Sequence, residues 1–196
     1  MLKVPVAGRV KTRLARGIGV VAATAFYRHA TAALLARIDR PRRWTTVLAV
    51  TPDPECRSPA LPRHLPRIAQ GRGNLGARLQ RIMDRLPTGP VVVIGSDVPH
   101  VNAGHLAEAF QKLAGSDAVL GPSSDGGYWL VGLRRCPRRL RAFDRVRWSS
   151  AQALADTEGN LAGADVRLIA TLDDIDEASD LASQGGWTGR RIPPRG

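Results

Sequence analysis

Three short stretches carry residues whose type and spacing could do chemistry: GRVKTRL (8–14), GSD (95–97) and LDDID (172–176). Asp97 follows the apolar run VVVI, so its carboxylate is expected at the mouth of a sheet, where a hard cation finds an oxygen ligand. Alternatively it caps the helix that follows. Asp174 and Asp176 stand two apart, so in an extended segment both project to one side, as two carboxylates sharing a metal must. Helix capping is again the alternative, because Glu177 and Asp180 fall near the start of another helical stretch. In GRVKTRL, Lys11 and Arg13 flank Thr12 just ahead of a helix, and backbone N–H groups beside two cations suit a phosphate. The stretch matches neither GxxxxGK[ST] nor GxGxxG. A fourth segment, GPSSDGG (121–127), sets Ser123, Ser124 and Asp125 beside paired glycines, with Tyr128 and Trp129 next. It can admit a ligand close to the backbone, turn a hairpin, or do both.

These stretches must be held by something. Apolar spacing predicts helices over 19–38, 73–86 with Asn74 as its N-cap, 102–115, and 149–163 with a serine cap. Short β-branched or apolar runs predict strands at 45–50 and 90–99, and 117–133 reads as strand, Gly-rich turn and strand. A strand from 166 runs into the acidic turn at 176, and EASDLASQG forms a short helix. The proline-rich 52–66 reads as loop. Strands alternating with helices predict an α/β sandwich of three layers around a mostly parallel sheet, which binds ligands at the carboxyl ends of its strands. The chemistry-bearing stretches are where that rule expects them. One domain over 1–185 followed by a loose basic tail at 186–196 accounts for the length.

With 29 basic and 17 acidic residues, the formal charge of +12 favours anionic partners. The basic residues are mostly arginines spread along the chain, without a nucleic-acid-binding motif, so no nucleic-acid partner is expected. Cys56 and Cys136 are far apart and suit reduced thiols in a cytoplasmic protein, and no apolar run is long enough to span a membrane.

Taken in order, KVPVAGRVKTRLA, QGRGNLGARL, VVVIGSDVPHV, VLGPSSDGGYWLVGL, VRWSS and LDDIDEASDL resemble the bacterial selenodomain-associated or uncharacterised glycosyltransferases. The likeness covers about Lys3 to Leu181. It implies the glycosyltransferase-A, or nucleotide-diphospho-sugar transferase, fold. More distantly the chain is similar to 2-phospholactate and molybdenum-cofactor guanylyltransferases. The resemblance implies a Mg²⁺-dependent (or Mn²⁺-dependent) transferase that moves a glycosyl or nucleotidyl group from a nucleotide sugar or nucleoside triphosphate to a small acceptor. It implies a nucleotide site at Gly8, Lys11, Thr12, Arg13, Gly95 and Ser96, with Lys11, Arg13 and Asp97 catalytic and Asp97, Asp174 and Asp176 holding the metal. Asn74, Gly76, Arg78, Asp125, Gly126, Gly127 and Tyr128 would border the donor or acceptor. The chain departs from the family pattern at Asn74 and His100, where acidic residues are usual, and its first strand is shortened to Met1-Leu2. Those departures favour the alternative, a nucleotide- or phosphometabolite-binding protein that keeps the fold without turnover.

Overall fold

A computed structural model describes residues 1–40 and 42–183, so the tail expected at 186–196 lies outside the described residues. The strands are β1 (Leu2–Lys3), β2 (Leu48–Thr51), β3 (Arg67–Ala69), β4 (Val91–Ile94), β5 (Ala118–Pro122), β6 (Tyr128–Leu133) and β7 (Val166–Leu168). The helices are α1 (Thr12–Ile18), α2 (Val20–Ile38), α3 (Leu75–Arg85), α4 (Ala103–Gly115), α5 (Ala153–Asn160) and α6 (Ala178–Ser183). Parallel pairing joins β1 to β2 and β2 to β3, and a second group runs β4-β6-β5-β7. There β6 is antiparallel to both neighbours, while β5 and β7 are parallel. The two groups meet where the Met1 ammonium donates to the Ile94 carbonyl at 2.6 Å, which puts the two-residue β1 beside the VVVI strand.

Two apolar layers cover the sheet. One joins Leu34, Leu35 and Ile38 of α2 to Leu106, Ala109 and Leu113 of α4, against Val50, Val119 and Leu130. The other sets Leu79, Ile82 and Met83 of α3 against Val93, Leu120, Val131 and Leu133. Spacing of three and four residues brings each set onto one helix face. Strands β5 and β6 are buried almost throughout, as expected of strands covered on both faces. A third cluster, Leu14, Ala23, Phe26, Ala30, Ile175 and Leu181, ties α1, α2 and α6 together.

Several expectations are corrected. The helix expected over 19–38 is α2, and a separate helix whose bounds the sequence did not give, α1, begins directly after Lys11 and is divided from α2 at Gly19 with φ 86°. β2 starts at Leu48, where its register with Arg67 begins, and not at Thr45. β3 had no signal in the sequence: it is three residues long and exists by pairing with β2. Its Arg67 guanidinium donates to the carbonyls of Cys56, Ser58, Leu61 and Pro62, satisfying the proline-rich loop. Helix α5 begins at Ala153 without a side-chain cap, because the Ser150 hydroxyl donates to the Arg147 carbonyl instead. Asn74 does cap α3, accepting from the Ala77 amide at 2.9 Å.

Gly126 is the tightest point of the turn between β5 and β6. Its φ is +81°, and a Cβ there would lie 2.2 Å from the Ala151 carbonyl oxygen. Backbone cannot yield as a side chain can. Gly126→Ala is therefore expected to lose more than about 1 kcal/mol of stability, read as a lower urea midpoint with an unchanged slope.

Candidate active site

The acidic segment is built around Ile175. That side chain is buried in the cluster with Leu14 and Phe26, so the alternation of an extended chain turns Asp174 and Asp176 away from the cluster. The Ile175 amide donates to the Asp97 carbonyl at 3.3 Å, fastening the segment to the loop beyond β4. As a result Asp97, Asp174 and Asp176 each bring a carboxylate oxygen within 4.8 Å of the others. None of the three caps a helix. Asn102 caps α4 by accepting from Gly104 and His105, and the Asp180 carboxylate accepts from the Asp176 and Glu177 amides ahead of α6.

Lys11 answers this negative charge. It takes a left-handed backbone conformation (φ 45°) at the start of α1, and its side chain is only 5% exposed. Its ammonium donates to Asp176 Oδ1 at 2.7 Å and stands 3.5 Å from Asp97 Oδ2. Burial alone would lower the Lys11 pKa, but Asp97, Asp176 and Asp174 more than offset it and the pKa is raised. Asp174 has no such partner among the described residues. Burial, with Asp176 and Asp97 nearby, pushes its pKa up to about 6 despite the opposing pull of Lys11. Arg13 stands 3.6 Å from Asp176 and is largely exposed.

These groups open onto a cleft of about 480 Å³ lined by Lys11, Thr12, Arg13, Gly95, Ser96, Asp97, Asp176 and Arg78, among others. Its volume is in the range of small-molecule sites. Gly8 is not at the wall; it forms the exposed turn ahead of Lys11, with φ +75°. Ser96 is fixed by the Tyr27 hydroxyl, 2.8 Å from its Oγ, and that hydroxyl also accepts from the Lys3 amide. A smaller cavity of about 190 Å³ adjoins the cleft and shares Asp97, Tyr128 and Trp129 with it. Asp125 and Gly127 line this second space together with Trp148, Ser149, Ser150 and Asp174. Asp125 Oδ1 accepts from Ser123 Oγ and the Gly127 amide, holding the turn. Asp173 accepts from the amide and hydroxyl of Ser124, at 2.8 and 2.5 Å, tying the turn to the acidic segment.

Asn74, Gly76 and Gly126, expected to bind substrate, lie elsewhere. Asn74 and Gly76 border a separate depression on the far side of α3, with Arg81, Arg85 and Arg141. Gly76 is needed where it is because a Cβ would lie 2.7 Å from the Phe143 carbonyl and 3.1 Å from the Trp148 ring. Gly126 packs against Ala151 and reaches neither space. Conversely, Tyr27, Gln70 and Leu75 line the cleft, and Trp148 lines the smaller cavity, without having been assigned from the sequence. Tyr27 read as an ordinary helix position, whereas Gln70 and Leu75 lie in QGRGNLGARL, a stretch carrying the resemblance. The only signal for Trp148 was its place in VRWSS, one of the stretches carrying the resemblance.

Comparison with known proteins adds a family. Residues 34–150, more than half of the chain, match the family described as uncharacterized proteins conserved in bacteria (DUF2064). The chain belongs to the DUF2064 family. No curated protein matches it significantly. Among solved structures it is similar to a protein from Desulfovibrio desulfuricans G20 that bears the provisional name nucleotide-diphospho-sugar transferase. That match has a TM-score of 0.83 at 28% identity and covers 93% of this chain and 83% of the other. The DUF2064 chain thus has the α/β fold of that structure, with the glycosyltransferase-A-like architecture its sequence resembles. No helix among the described residues is long and apolar enough to cross a membrane.

The elevated pKa of Asp174 sets a pH signature. An acid whose folded pKa lies near 6, above an ordinary value of 3.8, leaves the native state binding more protons between those limits. Stability is then favoured below about pH 4, falls as pH rises toward 6, and carries the full penalty above that. In buffer with EDTA, Asp174→Asn should raise the melting temperature at pH 8 and leave it nearly unchanged at pH 4, as read by thermal unfolding.

Proposed function

We propose that this DUF2064 protein is a single-domain, divalent-cation-dependent transferase. Its donor would be a nucleotide diphosphate compound, either a nucleotide sugar or a nucleoside triphosphate, and its acceptor a small molecule. The observation that carries this proposal is the convergence of three carboxylates, from segments more than seventy residues apart, beside a cleft edged by Lys11 and Arg13 and lined by Asp97 and Asp176. The name given to the D. desulfuricans protein supports the same donor class.

The donor set suits Mg²⁺ or Mn²⁺: all ligands are oxygens, and none of the three residues is occupied as a helix cap. Their carboxylate oxygens, all within 4.8 Å of one another, could be drawn onto one small cation by side-chain rotation. Asp97, Asp174 and Asp176 would hold the cation, which when bound supplies positive charge to the donor's phosphates. The remaining work falls to the chain's own groups. Lys11 can pass its hydrogen bonds from Asp176 to a phosphate oxygen within the same cleft. Arg13, largely exposed at the rim, adds a second donor to the departing phosphate. Gly95 brings bare backbone to the cleft wall, and Ser96, held by Tyr27, presents a fixed hydroxyl there.

The proposal is tested by thermal shift with nucleotides and nucleotide sugars, with and without Mg²⁺. At least one is expected to stabilise the protein in a Mg²⁺-dependent way, and the Mg²⁺ effect should weaken below pH 6 as protons compete for Asp174. No stabilisation by any nucleotide at any Mg²⁺ concentration would overturn it. Lys11→Ala should remove charge-assisted contacts worth roughly 1.5–3 kcal/mol, a tenfold or greater loss of nucleotide affinity. Arg139→Ala, remote from the cleft, should leave affinity within about twofold. Equal losses at the two positions would mean that net charge alone binds the nucleotide.

A further inference from the structure

The cleft and the smaller cavity beside it differ in charge. Lys3, Lys11, Arg13 and Arg78 line the cleft. Among the described residues the adjoining cavity has no Lys, Arg or His in its lining, although the chain carries 29 basic residues. Its charged groups are Asp97, Asp125 and Asp174, and its apolar walls are largely aromatic, from Tyr128, Trp129 and Trp148. Tyr128 and Trp148 meet edge to face with ring centroids 6.2 Å apart. We infer that this cavity receives the acceptor, and that the acceptor is a small hydroxyl compound without negative charge.

The inference rests on the transferase reading above and adds the chemistry of the second substrate. Aromatic faces cover the C–H surfaces of a polyol, while carboxylates and hydroxyls accept and donate to its O–H groups. Asp125 has the means to do this. Its Oδ1 is committed to the turn through Ser123 and Gly127, and its Oδ2 takes no hydrogen bond among the described residues. Ser149, in the left-handed region at φ 59°, and Ser150 stand on the same wall. A cation held by the trio would balance Asp97 and Asp174 but not Asp125, which has no basic partner in the cavity. A phosphorylated acceptor of the 2-phospholactate kind would meet that uncompensated charge. The volume of about 190 Å³ has room for one small molecule. Because Asp97, Tyr128 and Trp129 line both spaces, a hydroxyl bound in the cavity lies beside the cleft where the donor's phosphates would sit.

The test is ligand-observed NMR on the Mg²⁺-loaded protein with glycerol, myo-inositol and D-glucose, each against its monophosphate. At least one uncharged compound is expected to bind, none of the phosphates should bind more tightly, and Asp125→Asn should weaken binding at least tenfold. Asparagine keeps the Oδ1 acceptor of the turn, and far-UV circular dichroism confirms that the variant is folded. Asp125→Lys should shift the preference toward the phosphorylated member of the pair. Tighter binding of the phosphates to the native protein, no binding of any uncharged compound, or equal affinity in Asp125→Asn would each overturn the inference. Nucleotide stabilisation measured on the same samples separates the two proposals. If it persists while no polyol binds, only the acceptor inference fails; if it is absent, the donor reading fails independently.

Discussion

The site depends on a buried isoleucine between two aspartates. Burying the Ile175 side chain contributes on the order of 1.5–3 kcal/mol, and it does so in a cluster that includes Leu14, one turn beyond Lys11. One apolar contact therefore fixes two things: which way Asp174 and Asp176 project, and where the basic stretch at the start of α1 lies relative to them. The backbone bond from Ile175 to Asp97 adds the third carboxylate. Without this packing, mutual repulsion would separate the acidic segment from the β4 loop. At an effective dielectric constant near 20, charges less than 5 Å apart repel by a few kcal/mol before solvent screening. Burial of Ile175 and the Lys11 ammonium are the forces that oppose it.

This arrangement leaves a residue of unbalanced charge, and the imbalance is informative. Lys11 reaches Asp176 and Asp97 but not Asp174 by hydrogen bond, and Asp174 is the carboxylate whose pKa rises to about 6. A fold optimised for stability alone would place an amide or a second cation there. The strain is of the kind found where a protein holds charge ready for a partner, and Asp174 lines the cavity beside the cleft. Around it the supporting bonds are local and specific: Tyr27 on Ser96, Asp173 on Ser124, and the Trp129 indole N–H on the Ala170 carbonyl. They fasten the loops at the sheet's edge to α2, to one another and to β6.

Division of charge between neighbouring spaces follows from the same topology. The ends of β4 and β5 lie beside the start of the antiparallel β6, so this edge supplies carboxylates and aromatic rings to the smaller cavity. The α1 region contributes cations only to the cleft. The excess of positive charge across the chain conceals this division, because most arginines lie away from both spaces. Arg81, for example, donates to the Gln70 and Arg72 carbonyls, and Arg67 to four loop carbonyls. Net charge is a poor guide to local potential in such a chain.

Local pattern was enough to determine much of this protein. Apolar spacing marked α3 and α4 because helix faces repeat every three to four residues, and the Asn74 cap needed only its own turn. The LDDID alternation already implied that Asp174 and Asp176 share a side, since that follows from extended backbone alone. Other features depended on partners distant in the chain. Strand β3 is too short to carry a pattern and is created by pairing with β2. The Ser149-Ser150 pair resembles a helix cap, yet it forms a tight turn because Ser150 bonds to Arg147 and α5 begins later. Asn74 and Gly76 looked like binding residues, but the direction in which α3 packs turns them from the cleft toward Phe143 and Trp148. Most of all, the convergence of Asp97 with Asp174, and of Lys11 with both of its carboxylates, required Ile175 to find Leu14 and Phe26. Side-chain periodicity can say which face a residue occupies, but only tertiary packing decides what that face meets.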